Sequence, residues 1–230
     1  MGAETVGAAT PQDSIEAFPV ETVPGPAPSR TVFLLSPAHC GGKRAQILLR
    51  DEARFPLARQ LRTEGAPLGD VFSFLSGLYF RGKVAYGRAF GRAGTEEPGA
   101  LVITPGRGLV PPDVVLTISD LREIAAIGVS QDEPRFREPL ERDAAVLAAS
   151  LSGEDRVVLL GSIATGKYVD IIEGCLDGRL RFPAAFVGRG DMSRGGLMLR
   201  CVLQGEELEY VPIAGAVRRG PRPPKLEPIR

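Results

Sequence analysis

Apolar positions run without a break at Thr31–Ser36 (TVFLLS) and Arg156–Gly161 (RVVLLG), each run closed by Pro or Gly. Unbroken runs of this length are the pattern of strands covered on both faces, as in a parallel sheet. Ala100–Thr104 and Val114–Ile118 also read as strands, joined by a Gly/Pro loop over Pro105–Pro112. Pro183–Val187 reads as a further strand and Glu207–Pro212 as a short edge strand, while Leu197–Leu203 fits either strand or helix. Between these runs the apolar spacing changes to the helical period. Lys43–Arg62 is broken at Pro56 and predicts two short helices. Val71–Phe90 is helical, with Tyr79, Lys83 and Tyr86 on one face. Ser119 or Asp120 caps a helix running to Ile127. Glu138–Leu151 is a helix with Pro139 in its first turn, and Thr165–Leu176 is another. This alternation predicts an α/β fold: a three-layer α/β/α sandwich with a mostly parallel central sheet.

Composition narrows the class. The chain has 230 residues, with 43% hydrophobic and 24% charged, which excludes disorder of the whole chain. Lys+Arg and Asp+Glu are both 28, so a uniformly basic coat is excluded and a local basic patch is not. Residues 1–30 are rich in Ala, Pro and Thr and set four acids against Arg30; they predict a mobile acidic tail. Arg218–Arg230 (RRGPRPPKLEPIR) predicts an extended basic, Pro-rich tail. A single folded domain is then expected over 31–217. Cys40, Cys175 and Cys201 form no CxxC and there is one histidine, so no disulfide scaffold, metal or cofactor is expected. No run approaches the roughly 18 apolar residues of a membrane span, and the N-terminus lacks the charge and apolar core of a signal peptide. The expectation is a cytoplasmic protein with no membrane partner.

Ligands of parallel sheets sit beyond the carboxyl ends of the strands, so four loops carry the candidate chemistry. In Ser36–Ala45 (SPAHCGGKRA), Gly41 and Gly42 permit close approach, and Lys43 and Arg44 open a helix. His39, the only histidine, suits acid/base work near neutral pH, or it hydrogen-bonds locally. Thr104–Asp113 projects Arg107 from a glycine-rich turn. In Gly161–Asp170 (GSIATGKYVD), Ser162 follows the strand directly and Lys167 falls in the first turn of the next helix. In Val187–Arg200 (VGRGDMSRGGLMLR), Arg189, Asp191, Ser193 and Arg194 lie among four glycines. Asp191 suits orienting water or stabilising a cation; Arg189 and Arg194 suit holding phosphate. Ser76–Phe90 interleaves Tyr79, Phe80 and Tyr86 with Arg81, Lys83 and Arg88, which fits either an amphipathic core helix or a surface for stacking bases.

The order strand, Pro/Gly loop, helix, then VVLLGSIATGKYVD (157–170), then FPAAFVGRGDMSRGGLML (182–199), resembles the uracil-DNA glycosylase superfamily. The Ser/Arg-Gly part of that family's last loop stands at Ser193, Arg194 and Gly195; Pro37 and His39 stand in its first loop. The histidine that heads the family's last loop is replaced here, with Gly188 or Arg189 near it. The strand–Ser/Cys–Gly–Lys opening and Leu78-Tyr79 are also similar to uncharacterised bacterial domains. The resemblance implies a hydrolase that cleaves the N-glycosidic bond of a flipped or single-stranded base in DNA or RNA, or of a nucleotide, in repair or defence. His39 or Asp191 would activate water. Lys43, Arg44, Ser162, Lys167, Arg189, Ser193 and Arg194 would hold substrate and phosphate. The alternative is a non-catalytic nucleotide- or phosphate-binding module on the same fold.

Overall fold

The computed structural model describes Met1, residues 30–92 and residues 98–226. The acidic tail expected over 1–30 lies almost wholly outside the described residues, as do the last four residues of the basic tail.

In chain order the elements are β1 (Thr31–Leu35), α1 (Lys43–Leu49), α2 (Pro56–Thr63), β2 (Ala66–Pro67), α3 (Leu68–Ser76) and α4 (Leu78–Phe90). Then follow β3 (Ala100–Thr104), β4 (Gly108–Val110), β5 (Val115–Leu116), α5 (Ile118–Ala125), α6 (Pro134–Ser150) and β6 (Arg156–Leu160). α7 (Val169–Leu176), β7 (Leu180–Pro183), a 3-10 turn at Ala184–Phe186, α8 (Asp191–Gln204) and β8 (Tyr210–Pro212) complete the chain.

Six strands form one sheet in the order β4-β3-β1-β6-β7-β8. The inner four are parallel, and β4 and β8 close the edges antiparallel. The continuous apolar strands are explained by burial on both faces. Phe33 and Leu35 of β1 face one core with α1 to α5 and α8, and Val32 and Leu34 face a second core with α6 and α7. The α/β sandwich is therefore present, with its layers as expected. Chain direction across the sheet reverses after β3, since β1 leads outward to β3 and β6 leads the other way to β7. Crossovers of one hand then require the covering helices to change face, and they do.

Several elements differ from the sequence reading. The helix expected over Val71–Phe90 is two helices, because Gly77 takes a left-handed φ of 62° between α3 and α4. Thr117, rather than Ser119 or Asp120, caps α5: its hydroxyl accepts from the Asp120 N–H, and the Asp120 carboxylate accepts from the Thr117 N–H. α6 begins at Pro134, so Pro139 sits inside it. The Pro105–Pro112 loop contains β4, which folds back on β3. The strand over Val114–Ile118 shrinks to β5, paired with β2 in a separate ribbon. α7 starts at Val169, leaving Lys167 before the helix. Pro183–Val187 is not a strand: β7 ends at Pro183, and Phe186 reaches the core through the 3-10 turn. The exposed Arg181 inside β7 hid that strand from an apolar count. Gly188–Gly196 is not one long loop either, because α8 starts at Asp191 and absorbs Leu197–Leu203.

Candidate functional site

The reversal in strand order lies between β1 and β6, so the segments leaving their carboxyl ends cross to opposite faces of the sheet, the usual place for a ligand in such sheets. The Ser36 N–H donates to the Leu160 carbonyl at 3.2 Å, extending the pairing of these two strands to the rim. Gly161 follows on β6. A Cβ there would come within 2.8 Å of the Ser36 Cβ and 3.1 Å of the Tyr168 hydroxyl, so only glycine lets the three groups meet.

α4 crosses this face very closely, because Gly87 sits where a Cβ would touch Ala100 at 2.9 Å. One turn earlier, Lys83 therefore reaches the end of β1. Its Nζ donates to the Ser36 carbonyl at 2.7 Å and to the Ser36 Oγ at 2.8 Å. Lys83 is 1% exposed and lies over the rings of Tyr79 (4.3 Å) and Phe80 (4.8 Å). Burial pulls its amine down to about 7; the nearby Asp191 opposes the shift and Arg194 adds to it. Tyr79, four residues before Lys83, is 7% exposed, and its buried hydroxyl is approached by the Arg194 guanidinium, a donor, while its own proton has no acceptor. Burial pushes the Tyr79 phenol well above its ordinary range, with Arg194 lowering it and Asp191 and Tyr168 raising it. Tyr168 is buried and donates to the Ser162 carbonyl at 2.9 Å; burial raises it too.

α8 covers the same end of α4. Gly82 of α4 and Gly195 of α8 let the two helix backbones touch. That contact brings the first turn of α8 to the rim. Asp191 there is 68% exposed in its side chain, and its carboxylate lies 3.5 Å from the Arg194 guanidinium, which is 12% exposed. Arg194 also donates to the Phe186 carbonyl at 3.2 Å and lies over the Phe186 ring. Both charges act on Lys83, Tyr79 and Tyr168.

β1, β6 and β7 are parallel, so the segments that follow them open on the same edge of the sheet. The individual residues serve different ends there. Arg194 belongs to the buried centre and Asp191 to its exposed rim, and Ser162 joins it through Tyr168. The Ser162 Oγ itself accepts from the Ala164 N–H. His39 is exposed, its ring lying against Gly41 and Gly42. Lys43 and Lys167 are exposed. Arg44 donates to the Phe74 carbonyl of α3 at 3.2 Å. Arg189 donates to the Ala185 carbonyl, to the Ser193 Oγ at 3.3 Å and to the Pro224 carbonyl at 3.4 Å. It thus clamps the C-terminal segment, whose Pro221 carbonyl fills the place a Cβ of Gly188 would need. Arg107 pairs with Asp120 and Glu123 and holds α5.

Ser36, Lys83, Tyr79 and Tyr168 were not candidates from sequence as a set. One signal was present: Lys83 sits on the apolar face of its helix, where a charge is costly unless it has a role. A groove of about 730 Å³ is lined by Arg44, Phe74, Gly77, Arg81 and by Leu78 and Met192, the chain neighbours of Tyr79 and Asp191. A separate cavity of about 280 Å³ lies under α6, where Asp143 accepts from the Leu109 N–H; it has no part in this centre. Among the described residues, no three His, Cys, Asp or Glu side chains are grouped to hold a metal ion. No helix among them is long and apolar enough to cross a membrane. Comparison with family models, with curated proteins and with solved structures finds no match.

Proposed function

We propose that this domain acts on a nucleotide, free or within DNA or RNA, and hydrolyses its N-glycosidic bond at the carboxyl ends of β1 and β6. One observation carries the reading. An exposed carboxylate, Asp191, stands at the rim beside Arg194, above a buried titratable cluster, at the point where the strand order reverses. Perturbed titratable groups gathered in a crevice mark reaction centres. Cleavage of an N-glycosidic bond builds positive charge on the sugar, and a preorganised carboxylate stabilises it. Asp191 takes that role and aligns the attacking water. His39, on the loop after β1, is the second candidate base. Arg44 and Arg81 line the groove and suit the phosphates of the same ligand.

The test is incubation with free nucleotides and with oligonucleotides carrying modified bases, scored for released base or abasic sites. Asp191→Asn is expected to lower cleavage by about a hundredfold, within the range for a positioned acid or base. Its melting temperature should stay unchanged, because a mostly exposed carboxylate carries no core packing. An absence of both cleavage and low-salt binding to every substrate overturns the reading.

A second reading is a non-catalytic module for a nucleotide or other phosphate-bearing ligand. It is favoured by the exposed His39, whose ring lies on Gly41 and Gly42, and by the near-complete burial of Lys83. Thermal stabilisation by nucleotides without turnover selects it.

A further inference from the structure

The buried centre has an excess of hydrogen-bond donors. The Tyr79 hydroxyl is more than nine-tenths buried, and the one polar group that approaches it, the Arg194 guanidinium, can only donate, so its own proton has no acceptor. A buried O–H in that position has lost its hydration with nothing to donate to, which is uncommon without a reason. Lys83 has three N–H bonds, and the two oxygens of Ser36 account for two. No carboxylate among the described residues forms an ion pair with it; Asp191 acts only through space and is paired with Arg194. Arg194 adds another cation on the same side. The two acceptors of Ser36 already take up Lys83. What the centre lacks is an acceptor that carries negative charge.

The geometry points to an oxyanion site in which the Tyr79 hydroxyl and the Lys83 ammonium hold one phosphate oxygen of the ligand, with Arg194 beside them. For the nucleoside part of that ligand it rests on the reading above. Arg44 and Arg81 line the groove beside Leu78 and Met192, the chain neighbours of Tyr79 and Asp191, and so put cations on the side from which the anion would come. The groups facing Lys83 are Ser36 from the end of β1, Tyr79 and Phe80 from its own helix, and Asp191 and Arg194 from α8. An anion placed against the amine favours its protonated form, so binding at pH 8 takes up a proton.

The experiment is isothermal titration of the full chain with inorganic phosphate, a nucleoside 5′-monophosphate and the unphosphorylated nucleoside, in two buffers of different ionisation enthalpy. Wild type is expected to bind both phosphate-bearing probes with proton uptake at pH 8, and the bare nucleoside at least tenfold more weakly than the monophosphate. Tyr79→Phe should bind both phosphate probes about tenfold more weakly, since it removes a hydrogen bond to a charged group. The same substitution should change the melting temperature of the free protein little, because the lost O–H has no acceptor and Arg194 keeps its hydrogen bond to the Phe186 carbonyl. Phosphate affinity in Tyr79→Phe equal to wild type overturns the site, as does failure of wild type to bind either phosphate probe. If monophosphate binding depends on Tyr79 but no substrate is ever cleaved, the site stands and the N-glycosidic reading falls. If bases are released while phosphate affinity ignores Tyr79, the reverse holds.

Discussion

Wild-type stability is expected to rise relative to that of Lys83→Met by about 2 kcal/mol between pH 7 and pH 9. The sign follows from proton counts. The folded-state amine is lowered to about 7, whereas an unfolded lysine titrates near 10.5. Between those values the unfolded chain binds more protons than the native one, so raising the pH favours the native state. Below pH 7 both states are protonated, and the full cost of burying the charge is present. Methionine keeps the unbranched stem, ends one atom short of the ammonium and carries no charge, so its curve lacks this rise. The difference would go on building to the unfolded lysine's value near 10.5; the comparison stops at pH 9 because above it the buried Cys40, raised to about 12, retains a proton that the unfolded thiol loses and lowers the stability of both proteins alike. Chemical denaturation at fixed pH values from 7 to 9 measures the difference. For a chain of this length it corresponds to roughly 4–8 °C in melting temperature. Parallel curves for the two proteins contradict the burial of a titrating amine at the end of β1.

Gly195→Ala is expected to destabilise the protein by about 2–3 kcal/mol and to weaken ligand binding and turnover as well. A Cβ at this position would stand 2.6 Å from the Leu78 carbonyl oxygen and 2.8 Å from the Tyr79 Cα. Those are backbone atoms of α4, and they cannot rotate aside as a side-chain tip can. α8 must then lift from α4 or bend. Either movement carries Asp191 and Arg194 away from Tyr79 and Lys83, which is why function falls with stability. Gly174 supplies the control. It lies inside α7, and a Cβ added there would meet nothing within 4 Å. Gly174→Ala should stabilise by roughly 0.5–1 kcal/mol through helix propensity alone. Urea unfolding of both variants decides the matter, and equal effects at the two glycines would contradict the close α4–α8 crossing.

Much of the fold was legible because it is written in local patterns. The runs TVFLLS and RVVLL are apolar at nearly every position since both faces of β1 and β6 are covered, and a parallel sheet with helices on two sides is the simplest way to cover them. Pro56 splits α1 from α2 for a reason that resides in one residue. Gly195 and Gly196 read as loop residues, yet they are helical. The meaning of Gly195 is close packing against α4, and no local rule carries that information. The site divides in the same way. Asp191 and Arg194 stood out by charge and spacing, and the parallel strands put them on the expected edge. Ser36, Tyr79, Lys83 and Tyr168 come from three separate stretches of the chain, and their meeting depends on β1 lying beside β6 and on α4 crossing at glycine distance. The sequence by itself determined the sandwich and the edge on which the candidate loops lie, since periodicity and strand direction are local. Only the tertiary structure decided that a lysine on an apolar helix face ends against a serine at the tip of a strand, because burial and partner choice depend on contacts between distant segments.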